Sequence, residues 1–219
     1  MKSIKCLFFV LCLFNTFAIM AKNVKPFVIP ELKEWKGYDG NFPVTSSTRI
    51  VYSSKTPELN DVANRFAEDY KKMFGIQLQV AEGSEKKGDI VFKISNKKGL
   101  GDEGYTIDVD SKVTITSSTA TGAFWATRTL LQISEQSENK ALPKGFIKDF
   151  PDYAIRGFMM DCGRKFIPMS YLRDFMKIMS YYKMNTFQIH LNDNGFKQFF
   201  GNDWSKTYAA FRLECDTYP

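Results

Sequence analysis

Four side chains in the last third of this 219-residue sequence carry most of its capacity for chemistry: Asp161, Arg164, His190 and Asp193. Asp161 and Arg164 follow the apolar run Phe158-Met-Met160, while His190 and Asp193 follow Phe187-Gln-Ile189. A carboxylate three residues from a guanidinium suits either an ion pair or the binding of hydroxyls, because arginine offers several fixed donors and keeps its charge. Spacing alone favours the Asp161–Arg164 ion pair. His190 is the only histidine of the chain, and on an apolar run it reads first as a core residue. Asp193-Asn194-Gly195, taken alone, is a turn with Asx chemistry.

Those four residues need a frame that holds them. Both apolar runs are short and end in polar residues, and an amphipathic helical pattern separates them. Strands of a parallel sheet bury both faces and read as continuous apolar runs, so the segment has the character of a first strand, helix and second strand of a (β/α)8 barrel. Such barrels build their active sites at the carboxyl ends of the strands, which is where Asp161 to Arg164 and His190 to Asn194 fall. Only 23 residues follow Phe196. The sequence is therefore expected to begin a barrel and not to finish it.

The solitary histidine narrows the chemistry. A zinc site would have to combine it with distant ligands lacking any recognisable spacing, and any His-based triad would rest on the same residue, with no Gly-x-Ser-x-Gly elbow present. Neither a Gly-x-Gly-x-x-Gly fingerprint nor a phosphate loop occurs. No metal and no cofactor are expected.

Residues 1–21 have the pattern of a signal peptide: Lys2 and Lys5, an apolar core over 6–19, and Ala18 and Ala21 as small cleavage-site residues. The apolar run contains Asn15 and falls short of the ~20 residues that a spanning helix needs. The expected location is secreted or periplasmic, with no membrane span after cleavage. Losing Lys2 and Lys5 takes the formal net charge from +6 to +4, and the remaining lysines are scattered, so nucleic acid is not an expected partner. Cys162 and Cys215 would remain, too few for a disulfide framework. Cys162, at the end of an apolar run, is expected to be a small buried hydrophobe.

Ahead of the barrel-like segment lies a different pattern. Thr56 is a candidate N-cap with Pro57 at the first helical position, and Leu59, Val62, Ala63, Phe66, Ala67, Tyr70 and Phe74 recur at helical spacing before Gly75. Strands are expected over 49–53, 77–81, 89–94, 105–109 and 112–117, the last two joined at Asp110-Ser111 as a hairpin. A second helix is expected over about 122–135. Residues 140–152 read as a linker, with Pro143, Gly145 and Pro151 as breakers. The expected domains are thus a signal peptide over 1–21, a small α+β leading domain over 22–150, and the start of a TIM barrel over 151–219.

The order Gly104-Tyr-Thr-Ile-Asp-Val, hairpin, then Val113 to Gln132 resembles the end of the domain that precedes the barrel in family 20 glycoside hydrolases, the β-N-acetylhexosaminidases. Arg156-Gly-x3-Asp161-x2-Arg164-x-Phe166, Tyr182-Lys-Met-Asn185 and His190-Leu-x-Asp193 resemble the opening of that family's barrel in order and spacing. The resemblance implies an α/β protein, a small α+β leading domain followed by the first β/α units of a TIM barrel. It also implies removal of terminal N-acetylhexosamine from a glycan by substrate-assisted retaining hydrolysis, an exception to the two-carboxylate scheme. In that reaction the substrate's 2-acetamido carbonyl attacks the anomeric carbon, a Glu protonates the leaving oxygen, and the adjacent Asp orients the acetamido group.

Carried over by position, the resemblance gives Arg164 the binding of sugar hydroxyls in subsite −1, and Asp193 and His190 a place in the network around the site. The Asp-Glu pair itself is expected beyond Pro219, so no catalytic residue is assigned within the chain and the chain alone is expected to be inactive. A second function class stays open, a non-catalytic secreted carbohydrate-binding or interaction module.

Overall fold

The structure, a computed structural model, describes residues 22–95, 99–163, 165–191 and 201–203. Twelve regular elements appear among them. The first is β1 (Glu34–Phe42), then β2 (Arg49–Tyr52), α1 (Leu59–Phe74), β3 (Gln79–Glu82), β4 (Ile90–Ile94), β5 (Tyr105–Val109), β6 (Val113–Ser117), α2 (Ala120–Gln136) and β7 (Leu142–Asp149). These form one seven-stranded sheet in the order β1-β7-β5-β6-β4-β2-β3 with two helices. The half from β6 to β3 is parallel and the half from β1 to β6 antiparallel.

Helix α1 has the apolar face that its spacing predicts. Leu59, Val62, Ala63, Phe66, Ala67 and Tyr70 are buried in a core shared with Ile50, Phe92, Ile107 and Ile115 of the sheet. Gly75 ends the helix with φ 73°, a left-handed conformation that glycine adopts without steric cost. The start differs from expectation. Thr56 does not cap: its hydroxyl donates back to the Ser53 carbonyl at 3.0 Å, and the helix begins at Leu59. Helix α2 begins two residues earlier than its pattern suggested, because the Thr119 hydroxyl accepts from the Gly122 amide at 3.2 Å and caps it.

The linker reading of 140–152 is wrong over most of its length. Residues 142–149 are β7, hydrogen-bonded to β1 on one side and β5 on the other. Pro143 and Gly145 read as breakers, yet Pro143 lies beyond the β5 pairing, which ends at Gly145, and opposite Asn41 beside the β1 bulge, where a missing donor is tolerated. Gly145 is there for space: a Cβ on it would lie 2.4 Å from the Trp35 ring. Its partner β1 carries no strand pattern in the sequence, since EWKGYDGNF is polar, has two glycines and is bulged between Gly37 and Asn41.

A second sheet follows. Strand β8 (Gly157–Asp161), helix α3 (Met169–Tyr181) and strand β9 (Thr186–His190) make a β/α/β unit with the two strands parallel. Met160, Cys162 and Leu172 form its small core with Phe175 and Phe187 against them. Cys162 is a free, buried thiol, the small hydrophobe expected. No helix among the described residues is long and apolar enough to cross a membrane.

Candidate functional site

In the β8–β9 register Asp161 is paired opposite His190. Directly opposed residues of neighbouring strands share a face, about 4.8 Å apart across the sheet, so the carboxylate and the imidazole stand together at the carboxyl ends of both strands. Pairing continues one step further, with the Cys162 amide donating to the His190 carbonyl at 2.9 Å. The Gly163 amide donates to Asp161 Oδ1 at 3.0 Å, tying that carboxylate into the loop that leads to position 164. Asp161 and His190 are half-buried. Arg164 and Asp193, the other two predicted site residues, lie outside the described residues. Among the described residues no three His, Cys, Asp or Glu side chains stand close enough to hold a metal ion.

The amino ends of the same strands are fixed by a polar network that the sequence did not announce. Arg156, just before β8, pairs with Glu103 of the leading domain, while its Nε donates to the Lys183 carbonyl at 2.7 Å and its Nη1 to the Tyr153 carbonyl at 2.7 Å. Asn185, just before β9, accepts from the Arg156 amide at 2.9 Å and donates to the Ala154 carbonyl at 2.8 Å and to Glu103 at 3.2 Å.

Beneath them Lys183 is buried, donating to Asp149 at 2.9 Å and to the Tyr105 hydroxyl at 2.8 Å. The Tyr105 hydroxyl in turn donates to Asp149 at 2.6 Å. Burial pushes the Lys183 ammonium below the usual lysine range, an effect that the Asp149 carboxylate only partly offsets. Burial, reinforced by Asp149, holds the Tyr105 phenol well above its usual value. A cation from the turn before β9 and a carboxylate from the end of β7 thus meet away from water, and the strands carrying Asp161 and His190 are held against the seven-stranded sheet from below.

Comparison with known sequences agrees with this two-part arrangement. The sequence model for glycosyl hydrolase family 20, domain 2, matches residues 25–150. The chain belongs to glycosyl hydrolase family 20. The model for that family's catalytic domain matches residues 153–199. A beta-hexosaminidase of Porphyromonas gingivalis is 29% identical over 202 residues, which is 88% of this chain and 24% of that protein. A beta-hexosaminidase of Akkermansia muciniphila is 40% identical over 75 residues, 33% of this chain and 15% of that protein.

Among solved structures, the family 20 beta-N-acetylhexosaminidase of Streptomyces coelicolor superposes with a TM-score of 0.66 at 25% identity, over 79% of this chain and 36% of that one. The Flavobacterium johnsoniae chitobiase gives 0.63 at 27% identity, over 76% and 27% respectively. This family 20 chain therefore spans about a quarter of the length of the beta-hexosaminidases of P. gingivalis and Vibrio furnissii that it matches. Its fold is a small α+β leading domain followed by the first β/α units of the family's TIM barrel.

Two family 20 motif residues, Arg156 and Asn185, were legible as part of a pattern but not as anchors. Lys183 falls inside the Tyr182-Lys-Met-Asn185 motif but gave no sign of burial, because a lysine just after an amphipathic helix looks like a solvated one.

Proposed function

We propose that this chain is the leading part of a β-N-acetylhexosaminidase-type glycosidase, acting on the terminal N-acetylhexosamine of a glycan by substrate-assisted retaining hydrolysis. The observation that supports the reading is the parallel register setting Asp161 beside His190 at the carboxyl ends of two barrel strands, within the segment matched by the family's catalytic domain. In this proposal Arg164 binds hydroxyls of the terminal sugar, and Asp193 and His190 belong to the network around the site. Residues 1–21 direct secretion, 22–150 form the leading domain, and 151–219 open the barrel.

The reaction needs an Asp-Glu pair, one member to orient the acetamido group and the other to protonate the leaving oxygen. Attack by the substrate's own carbonyl gains from an effective molarity of ~10⁵ M or more, and the general acid adds roughly 10²- to 10⁴-fold. The single Asp-Glu dipeptide of the sequence is Asp102-Glu103. Glu103 is committed to Arg156 and Asn185 on the amino side of the barrel strands, the wrong end for catalysis. The 219 residues alone are therefore inactive in this proposal.

The test is an assay on an aryl N-acetyl-β-glucosaminide. The purified chain should give no turnover above a heat-killed control, whereas a polypeptide extending it through a Gly-Asp-Glu segment should hydrolyse the substrate and lose that activity on Arg164→Ala with its fold retained. Turnover by the chain alone would defeat the assignment of the chemistry. An extended polypeptide that binds glycans without hydrolysing them would favour a carbohydrate-binding module instead.

A further inference from the structure

A groove of about 860 Å³ runs between α1, α2 and α3, and its charged lining is lopsided: Arg65, Lys72, Arg128, Arg173 and Lys177 against the single carboxylate of Asp69. Lys177 pairs with Asp174 at 2.7 Å and Arg128 with Asp69 at 2.6 Å, and Arg65 also borders a neighbouring cleft lined by Glu58, Asp61 and Glu68. Lys72 and Arg173 are exposed and make no ion pair among the described residues.

Arg128 carries the argument. It is buried, 4% exposed, with Nη1 donating to Asp69 at 2.6 Å, Nε to the Thr127 hydroxyl at 3.1 Å, and its guanidinium 4.4 Å from the Phe124 ring. Its Nη2 is buried without any partner. A charged donor left unmatched away from water is costly, and an acceptor at that atom would remove the cost. Burial pushes the guanidinium below the usual arginine range and Arg65 pushes it further, with Asp69 opposing. One carboxylate held by one nitrogen leaves the fork of a guanidinium half used, and a fork is what matches the oxygens of a sulfate or phosphate.

We propose that this groove is an oxyanion-binding site, taking a sulfate or phosphate group on Arg128 with Lys72 and Arg173 at its rim. The site is separate from the carboxyl ends of β8 and β9, so it does not depend on the hydrolase reading. Its volume exceeds that of a bare ion and falls in the range of small-molecule sites. Met73, Leu131 and Tyr182 complete the wall and leave room for a body attached to the anion.

The experiment follows thermal unfolding of the full chain as inorganic sulfate is added, with ionic strength held constant by sodium chloride. Sulfate stabilises most proteins by exclusion from their surface, so the readout is the saturable part of the shift and its loss in a variant. The double variant Lys72→Ser/Arg173→Ser changes only exposed side chains and leaves the fold intact. It should weaken apparent sulfate affinity at least about fivefold, and Arg128→Lys, which keeps one charge for Asp69 but removes the fork, should abolish saturation. Glucose 6-sulfate and glucose 6-phosphate separate the sources. Tighter binding of either than of inorganic sulfate assigns the site to a sugar-borne ester, and preference for the inorganic ion assigns it to free oxyanion. A shift that rises without saturating, identical in the wild type and in Lys72→Ser/Arg173→Ser, would overturn the proposal whether or not Arg128→Lys folds.

Discussion

Replacing Lys183 by methionine removes the buried ion pair among the contacts that hold the β8–β9 unit on the seven-stranded sheet. The side chains of Lys183 and Asp149 are 8% and 9% exposed, so the substitution strands a buried carboxylate and does not return it to water. Removing one partner of a buried ion pair costs about 3–5 kcal/mol. Here Asp149 keeps the Tyr105 hydroxyl at 2.6 Å, which places the expected loss at the lower end, about 3 kcal/mol.

Asp149→Asn should cost a comparable amount, because Lys183 then loses its counter-charge. The double variant Lys183→Met/Asp149→Asn should be more stable than the sum of the two losses predicts, with a coupling of about 2 kcal/mol, within the range for residues in one network. Urea unfolding of the three variants supplies the energies. Amide hydrogen exchange supplies the location: Lys183 lies three residues before β9, its backbone held at φ 58° and its carbonyl engaged by Arg156, so protection should fall first in β8 and β9. A loss below about 1 kcal/mol for Lys183→Met, or a loss spread evenly over the seven-stranded sheet, would show that the buried pair does not anchor the barrel strands.

Gly122→Ala in α2 should destabilise the protein by about 1–3 kcal/mol although alanine is the better helix former, because the new Cβ would lie 2.6 Å from the Gly104 carbonyl oxygen; a raised unfolding midpoint would contradict this. Glu85, whose carboxyl Lys112 and Lys93 hold below its ordinary value of 4.5, is a partly exposed pair member worth under about 1 kcal/mol. Its contribution is complete above about pH 4.5 and disappears as pH falls through the lowered value, so Glu85→Gln should be less stable than the parent at neutral pH and equal to it in strong acid, and a gap that persists in acid would refute the assignment. Limited trypsin digestion should spare Lys144 and Lys148, which lie in a strand paired on both sides, and should cut first at exposed lysines such as Lys86, Lys87 and Lys165; early cleavage within 142–149 would restore the linker reading.

Legibility followed the range of the forces involved. Helix α1 was readable because its signal is local, six buried residues at three- and four-residue spacing, and β5 because alternation and a nearby hairpin partner agree. β1 and β7 were unreadable for the same physical reason seen from two sides. Gly145 exists to admit the Trp35 ring across the strand pair, and neither residue declares that need without the other, more than a hundred positions away. The site divides likewise. Asp161 and His190 could be placed at strand ends because the apolar runs of the sequence stop where the polar residues begin, whereas their register was fixed by pairing that no single strand encodes. Lys183, Asp149 and Tyr105 lay furthest from reach: each has an ordinary local reading as a helix-end lysine, a loop aspartate and a core tyrosine. A buried cation is tolerable only with its counter-charge, so the meaning of Lys183 is set by a residue 34 positions earlier. Sequence patterns report what a residue does to its own element, and the hold of the leading sheet on the barrel strands is made by pairs whose members lie in different elements.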